Sequence, residues 1–378
     1  MHKTLIRIAV GVIATAALVF TITAGATDNL TAGKVELKSA GPLTFGPSGI
    51  LFVGDSVGGS VVALDTGDRT PAPAGSKINV DGVDAKIAAL VGTSPDQIMI
   101  NGLTINPVSK NAWLSASRGR GADAAPLIVR VDASGKVSIL SLDNIRHDSV
   151  NLVDAPEANV SARQNPRMMT VTDMSFVNGN LMVAGLSNEE WSSALRSIPY
   201  PFKKAEEGAT LQIWHSSHGR YETQSPVRTF VPYTIGGQNY ILAAYTCTPL
   251  VKIPVSDLKP GAKVKGVTIA DLGAGNSPLD MVPYRKDGHD YILIANTSFG
   301  VVKLKADNMG TYPAIDSPTR TDVAGVPYDK MPELKNVQHL TQLDASDAVI
   351  LTAKPGSGPA FNPGPFVGPV NLQTIALP

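Results

Sequence analysis

Gly54-Asp55-Ser56-Val57-Gly58 carries the G-x-S-x-G spacing that presents a nucleophilic serine on a sharp strand-to-helix turn, and "FVGDS" also fits the first block of Gly-Asp-Ser lipases. That device works only when a helix follows the serine at once. Here the next residues are Gly59-Ser60-Val61-Val62-Ala63-Leu64, a strand-forming run, and no late Asp-x-x-His supplies a base. Ser56 is therefore read as part of a tight strand connection.

Five histidines lie beyond the N-terminal segment: His147, His215, His218, His289 and His339. A spacing of three aligns ligands on a helix, but "LQIWHSSHGRYE" reads as strand then turn. His215 and His218 are accordingly read as polar residues of a hairpin, with zinc or copper ligation as the alternative. Met168, Met169, Met174 and Met182 are read as packing between sheets, with copper again the alternative. Cys247 is the single cysteine, so no intramolecular disulfide forms and stability rests on burial.

These residues sit on a strand-turn-strand unit that recurs about six times, most legibly from Gly41 ("GPLTFGPSGILFVGDSVGGSVVALD") and from Leu279 ("LDMVPYRKDGHDYILIANTSFGVVKLK"). No copy can bury both faces alone, which is the logic of a β-propeller. Innermost strands are predicted at 43–45, 103–105, 171–176, 229–233, 279–284 and 337–343, with starts 50 to 68 residues apart. Six blades fit better than seven, and a seventh has room only in 142–164, which is poor in strand formers. Asn178-Gly179 and Asp287-Gly288 provide the positive φ of tight hairpins. Runs such as "ILFV", "YILAAY" and "YILIAN" suit strands covered on both faces. Helical periodicity is scarce, with 83–90 and 189–196 as the main candidates.

Several segments fall outside the repeat. The stretch 187–209, with Trp191, Tyr200 and Phe202, is long for a link between second and third strands; it either covers the channel mouth or grips a partner, or it packs across a neighbouring blade. The Pro/Gly-rich loop 362–368 is read as a spanning segment. The amphipathic strand 33–39 has no partner in its own unit and is expected to complete the last blade beside the C-terminal strands, closing one propeller domain over 27–378.

Residues 1–26 read as a secretory signal, with Lys3 and Arg7 ahead of an apolar stretch and Ala24-Gly25-Ala26 as a small-residue cleavage site. The expected location is secreted or periplasmic, with no membrane span left after cleavage. With 32 basic and 32 acidic residues the chain has no electrostatic case for nucleic acid. A monomer is expected, with an unidentified protein or small molecule as partner.

The cadence of "SGILFVGDSVGGSVVALD" and "ASGKVSIL" resembles secreted propellers of the NHL, YVTN and gluconolactonase-like groups. The resemblance implies a ligand site where loops gather around the central channel. On that face the candidates are Asp55, Asn101, Arg167, Asn188, Glu189, Cys247, Asp280, Asn296 and His339. By the same resemblance, Asn188, Asn296 and Asp280 are the oxygen ligands expected to hold a divalent cation such as calcium. Binding of a partner or small ligand and calcium-dependent hydrolase or lactonase action are the two functional expectations. A quinone-dependent redox propeller requires a basic, stacking site that the sequence does not offer.

Overall fold

Strands whose side chains are apolar on both faces need cover on both sides, and the chain provides it by packing six small sheets face to face around an axis. The computed structural model describes residues 25, 27, 29–120, 124–158, 165–319, 323–356 and 366–378. The predicted signal falls almost wholly outside these residues, as does most of 362–368. No helix among the described residues is long and apolar enough to cross a membrane.

The six innermost strands are Leu43–Phe45, Ile98–Ile105, Asp173–Val177, Val227–Ile235, Pro278–Lys286 and Val337–Gln342, each the edge of its own sheet. Numbering blades 1 to 6 in that order, all six predicted inner strands are present, and the architecture is a six-bladed β-propeller. The space for a seventh blade is taken by Ile145–Asn151, which pairs with Ser60–Asp65 as the fourth strand of blade 1. The predicted helix is present as Val83–Val91, stopped by Gly92 in the left-handed region. Residues 193–199, by contrast, form the third strand of blade 3, because register with Asn180–Leu186 buries Ala194, Leu195 and Ile198. The long stretch 187–209 is thus a hairpin loop, a strand and a second loop. Tyr200 and Phe202 pack edge-on against Phe52 or tilted to it, so this stretch fills a seam between blades.

Chain order and ring order differ. Blade 2 is inserted between the third and fourth strands of blade 1, and the innermost strands touch in the order 2, 1, 3, 4, 5, 6 and back to 2. Six apolar clusters follow, one per seam; the closing seam, between blades 6 and 2, joins Ile100, Leu103 and Leu114 to Val349, Leu351 and Leu372. This corrects the expected closure. The outer strand of blade 6 is Asn79–Val80, paired with Leu372 and Gln373, because the chain passes that edge on its way into blade 2. The N-terminal strand is Thr31–Gly33, which pairs with Ile145–His147 at the outside of blade 1. Val35 and Leu37 then bury themselves in the seam between blades 1 and 2.

The linker from blade 1 to blade 3 is held by a buried ion pair. Arg196 Nε donates to Asp154 Oδ1 at 2.6 Å with both side chains 1% exposed, and its other nitrogens donate to the carbonyls of Thr170 and Leu186. Removing one member of such a pair strands an uncompensated charge in the interior. Asp154→Ala is expected to cost about 3–5 kcal/mol in urea unfolding, and Asp154→Ala combined with Arg196→Met is expected to recover part of the loss; equal stability of Asp154→Ala and wild type would refute this role.

Candidate functional site

The innermost strand of a blade has one edge with no strand to pair with, so its backbone groups need other partners. Side chains of the neighbouring blade provide them. Asp173 Oδ2 accepts from Phe230 N at 2.8 Å, from blade 3 to blade 4, and Asp280 Oδ2 accepts from Leu340 N at 3.0 Å, from blade 5 to blade 6. Thr172 Oγ1 donates to Val227 O at 2.6 Å, and Asn101 Nδ2 donates to Ala40 O at 3.0 Å. Four innermost strands also carry a bulge near their start, at Asn101, Arg228, Leu279 and Gln338. A bulge bends the strand and re-aims adjacent side chains, and here it sets Asp280 and His339 on successive blades. His339 Nδ1 meets Asp280 Oδ2 at 3.0 Å.

The electrostatics of this upper end of the channel are uneven. Burial pushes the Asp173 carboxyl up to about 7, the amide of Phe230 opposes it, and the charge of Asp280 adds to the rise. By area the residue as a whole is only half-buried. Arg228 is desolvated, which lowers its pKa, and its Nε has no hydrogen-bond partner within the protein. No carboxylate lies within ion-pair distance of it among the described residues.

The predicted residues divide by role. Asp280 and His339 are brought together. Asp55 is buried, and its carboxylate is filled by Lys38 N, Ser39 N, Ser39 Oγ and Gly58 N, so it anchors the N-terminal arm. Arg167 donates to the carbonyls of Val57, Gly58 and Pro156, a clamp on the turn after Asp55. Ser56 exchanges hydrogen bonds with the backbone of Val171, as suits a strand connection. Asn296 is buried, with its amide spent on Asn276 and on the carbonyls of Ile294 and Gly300. Asn188 and Glu189 are exposed on the loop between the second and third strands of blade 3. Of the oxygens expected to hold calcium, Asn296 Oδ1 and Asp280 Oδ2 already accept protein donors, while Asn188 stands on a different blade. Cys247 lies off the axis in a hairpin turn of blade 4, close to His215 and His218.

Asp173 and Arg228 were not foreseen. Asp173 was legible as an acid inside "VTDMSF", a run otherwise fit for a strand, but the Phe230 amide that it holds comes from another blade 57 positions on.

No protein-family model and no curated protein matches the chain. A solved structure that it matches is described as the PQQ-bound form of aldose sugar dehydrogenase from Streptomyces coelicolor, at 10% identity and a TM-score of 0.32, covering 91% of this chain and 97% of that one.

Asp173 makes stability depend on pH. Its folded pKa lies above its usual value near 4, so the folded state holds the extra proton between about pH 4 and 7 and loses stability as pH rises through that window, by up to about 1.4 kcal/mol per unit. Urea midpoints of wild type are expected to fall from pH 5 to pH 8, and Asp173→Asn is expected to flatten that slope; an unchanged slope would contradict the assignment.

Proposed function

We propose that this chain is a secreted or periplasmic propeller that binds a small polar ligand at the upper mouth of its channel. The observation that carries the reading is a set of acids and a histidine on blades 3, 5 and 6, with Asp173 near neutrality under the charge of Asp280 and Asp280 paired with His339, while Arg228, at the bulge of the intervening innermost strand, is desolvated and has no carboxylate partner among the described residues. A desolvated ionic group without a partner is costly, and a ligand that supplies one recovers that cost on binding. The guanidinium suits an oxyanion or carbonyl of the ligand, and the two carboxyls suit its hydroxyl or amino donors. A protein partner presenting a polar loop meets the same groups.

A calcium-dependent hydrolase or lactonase is the second reading. It is favoured by the mutual repulsion of Asp173 and Asp280, which a divalent cation relieves.

Native mass spectrometry of protein isolated from the exported fraction of its host, together with calorimetric titration with Ca²⁺, tests both. A bound species below about a kilodalton, retained by wild type and lost from Arg228→Gln and Asp280→Asn, supports the ligand reading. A stoichiometric Ca²⁺ heat abolished by Asp280→Asn supports the hydrolase. Neither result in folded protein ends both.

A further inference from the structure

Away from the channel, the seam between blades 3 and 4 carries a second set of polar groups. Strand Ala209–His215 ends at the upper face, the turn Ser216–His218 follows, and strand Arg220–Glu222 returns beside it with Ile213 opposite Glu222. This hairpin places the rings of His215 and His218 with centroids 4.0 Å apart. Glu222 holds both: His215 Nδ1 lies 2.6 Å from Oε2 and His218 Nδ1 lies 2.7 Å from Oε1. Ser225 Oγ and Arg220 Nε also donate to this carboxylate, so the carboxylate is fixed in turn. His215 is 1% exposed, yet its Nε2 has no partner. From blade 4, Cys247 brings its sulfur so that one nitrogen of each imidazole and Sγ all lie within 4.8 Å of one another, the sole such group of three among the described residues.

The turn that presents the thiol is itself unusual. Cys247 and Thr248 both have φ of +61°, a left-handed pair. Elsewhere this chain makes such pairs with Asn178-Gly179 and Asp287-Gly288, residues that adopt them at little steric cost. A β-branched threonine there is strained by on the order of 1–3 kcal/mol, and it is held by Thr248 N to Tyr245 O at 2.8 Å and Thr248 Oγ1 to Gly273 O at 2.7 Å. Turn chemistry does not select Cys-Thr at this place.

We propose that His215, His218 and Cys247 form a binding site for one zinc or copper ion, with Glu222 as the carboxylate that orients both imidazoles. With each Nδ1 donating to Glu222, the ligating atoms are the two Nε2 lone pairs and the Cys247 thiolate, whose proton leaves when the metal binds. Metal bonds of about 2.0–2.3 Å require ligand atoms roughly 3.5–4 Å apart, against separations of at most 4.8 Å between one nitrogen of each ring and Sγ here. One thiolate and two imidazoles favour a borderline or soft transition ion over calcium or magnesium. Three protein ligands leave a fourth position, and His218, 44% exposed, puts the site next to solvent. The site is separate from the mouth of the channel and stands whatever binds there.

Purified protein, stripped with a chelator and titrated with Co²⁺ and then Zn²⁺, tests the proposal. One equivalent of Co²⁺ is expected to produce a thiolate-to-cobalt charge-transfer band, displaced by one equivalent of Zn²⁺ or Cu²⁺ and unaffected by excess Ca²⁺. Cys247→Ser is expected to lose the band, and Glu222→Gln to bind Co²⁺ about 10- to 100-fold more weakly while keeping it. Near-ultraviolet circular dichroism establishes that each variant is folded. Absence of the band from folded wild type overturns the proposal, as does its survival in Cys247→Ser; unchanged affinity in Glu222→Gln overturns the role of Glu222.

Discussion

Every blade of this protein covers the apolar faces of its middle strands with two neighbours, and neither neighbour can be spared, because residues such as Leu51, Leu114, Leu242 and Leu293 are wholly buried between sheets. The ring must therefore close, and the route by which it closes dictates the path of the chain. Blade 2 swings back beside blade 1 and receives blade 6 on its other side. The closing seam is consequently built from residues about 250 positions apart, such as Leu103 and Leu351, with helix Val83–Val91 packed beside them. Asp84 fixes that helix to blade 6 by accepting from Val370 N.

Closure leaves six strand edges around an axis, and the polar side chains near the axis answer to that fact first. Asp173, Asp280, Thr172 and Asn101 each satisfy backbone of an adjoining blade. The same arrangement gathers acids that repel one another and leaves Arg228 without a carboxylate. A group placed to satisfy an edge is held rigidly, which is also what a binding group requires. The structural role at the mouth and the binding role proposed for it thus share one cause.

The two sites proposed on the upper face differ in how they are supported. At the mouth, groups are positioned by innermost strands and their bulges. At the seam between blades 3 and 4, they are positioned by two hairpin turns from different blades, one of them strained at Cys247 and Thr248. The Glu222 carboxyl shows how firmly the second is held: burial alone would raise it, yet hydrogen bonds from His215, Ser225 and His218 draw it down to about 2.

Local pattern was enough to read the β-propeller, the number of blades and the six inner strands, because alternating turns and doubly apolar runs are properties of neighbouring residues. It also identified Ser56 as a strand connection and His339 as a residue of an inner strand. It misplaced 189–196, whose helical appearance yields to pairing with Asn180–Leu186, and it assigned closure to the N-terminal strand when Asn79–Val80 performs it. Which polar residues meet was beyond its reach. His215 and Cys247 are 32 positions apart, Asp173 and the Phe230 amide it holds are 57 apart, and nothing in either neighbourhood names the other. The sequence by itself determined what each blade is made of; only the tertiary structure decided the order of blades around the axis and the side chains that face one another, since those depend on packing between segments that share no local signal.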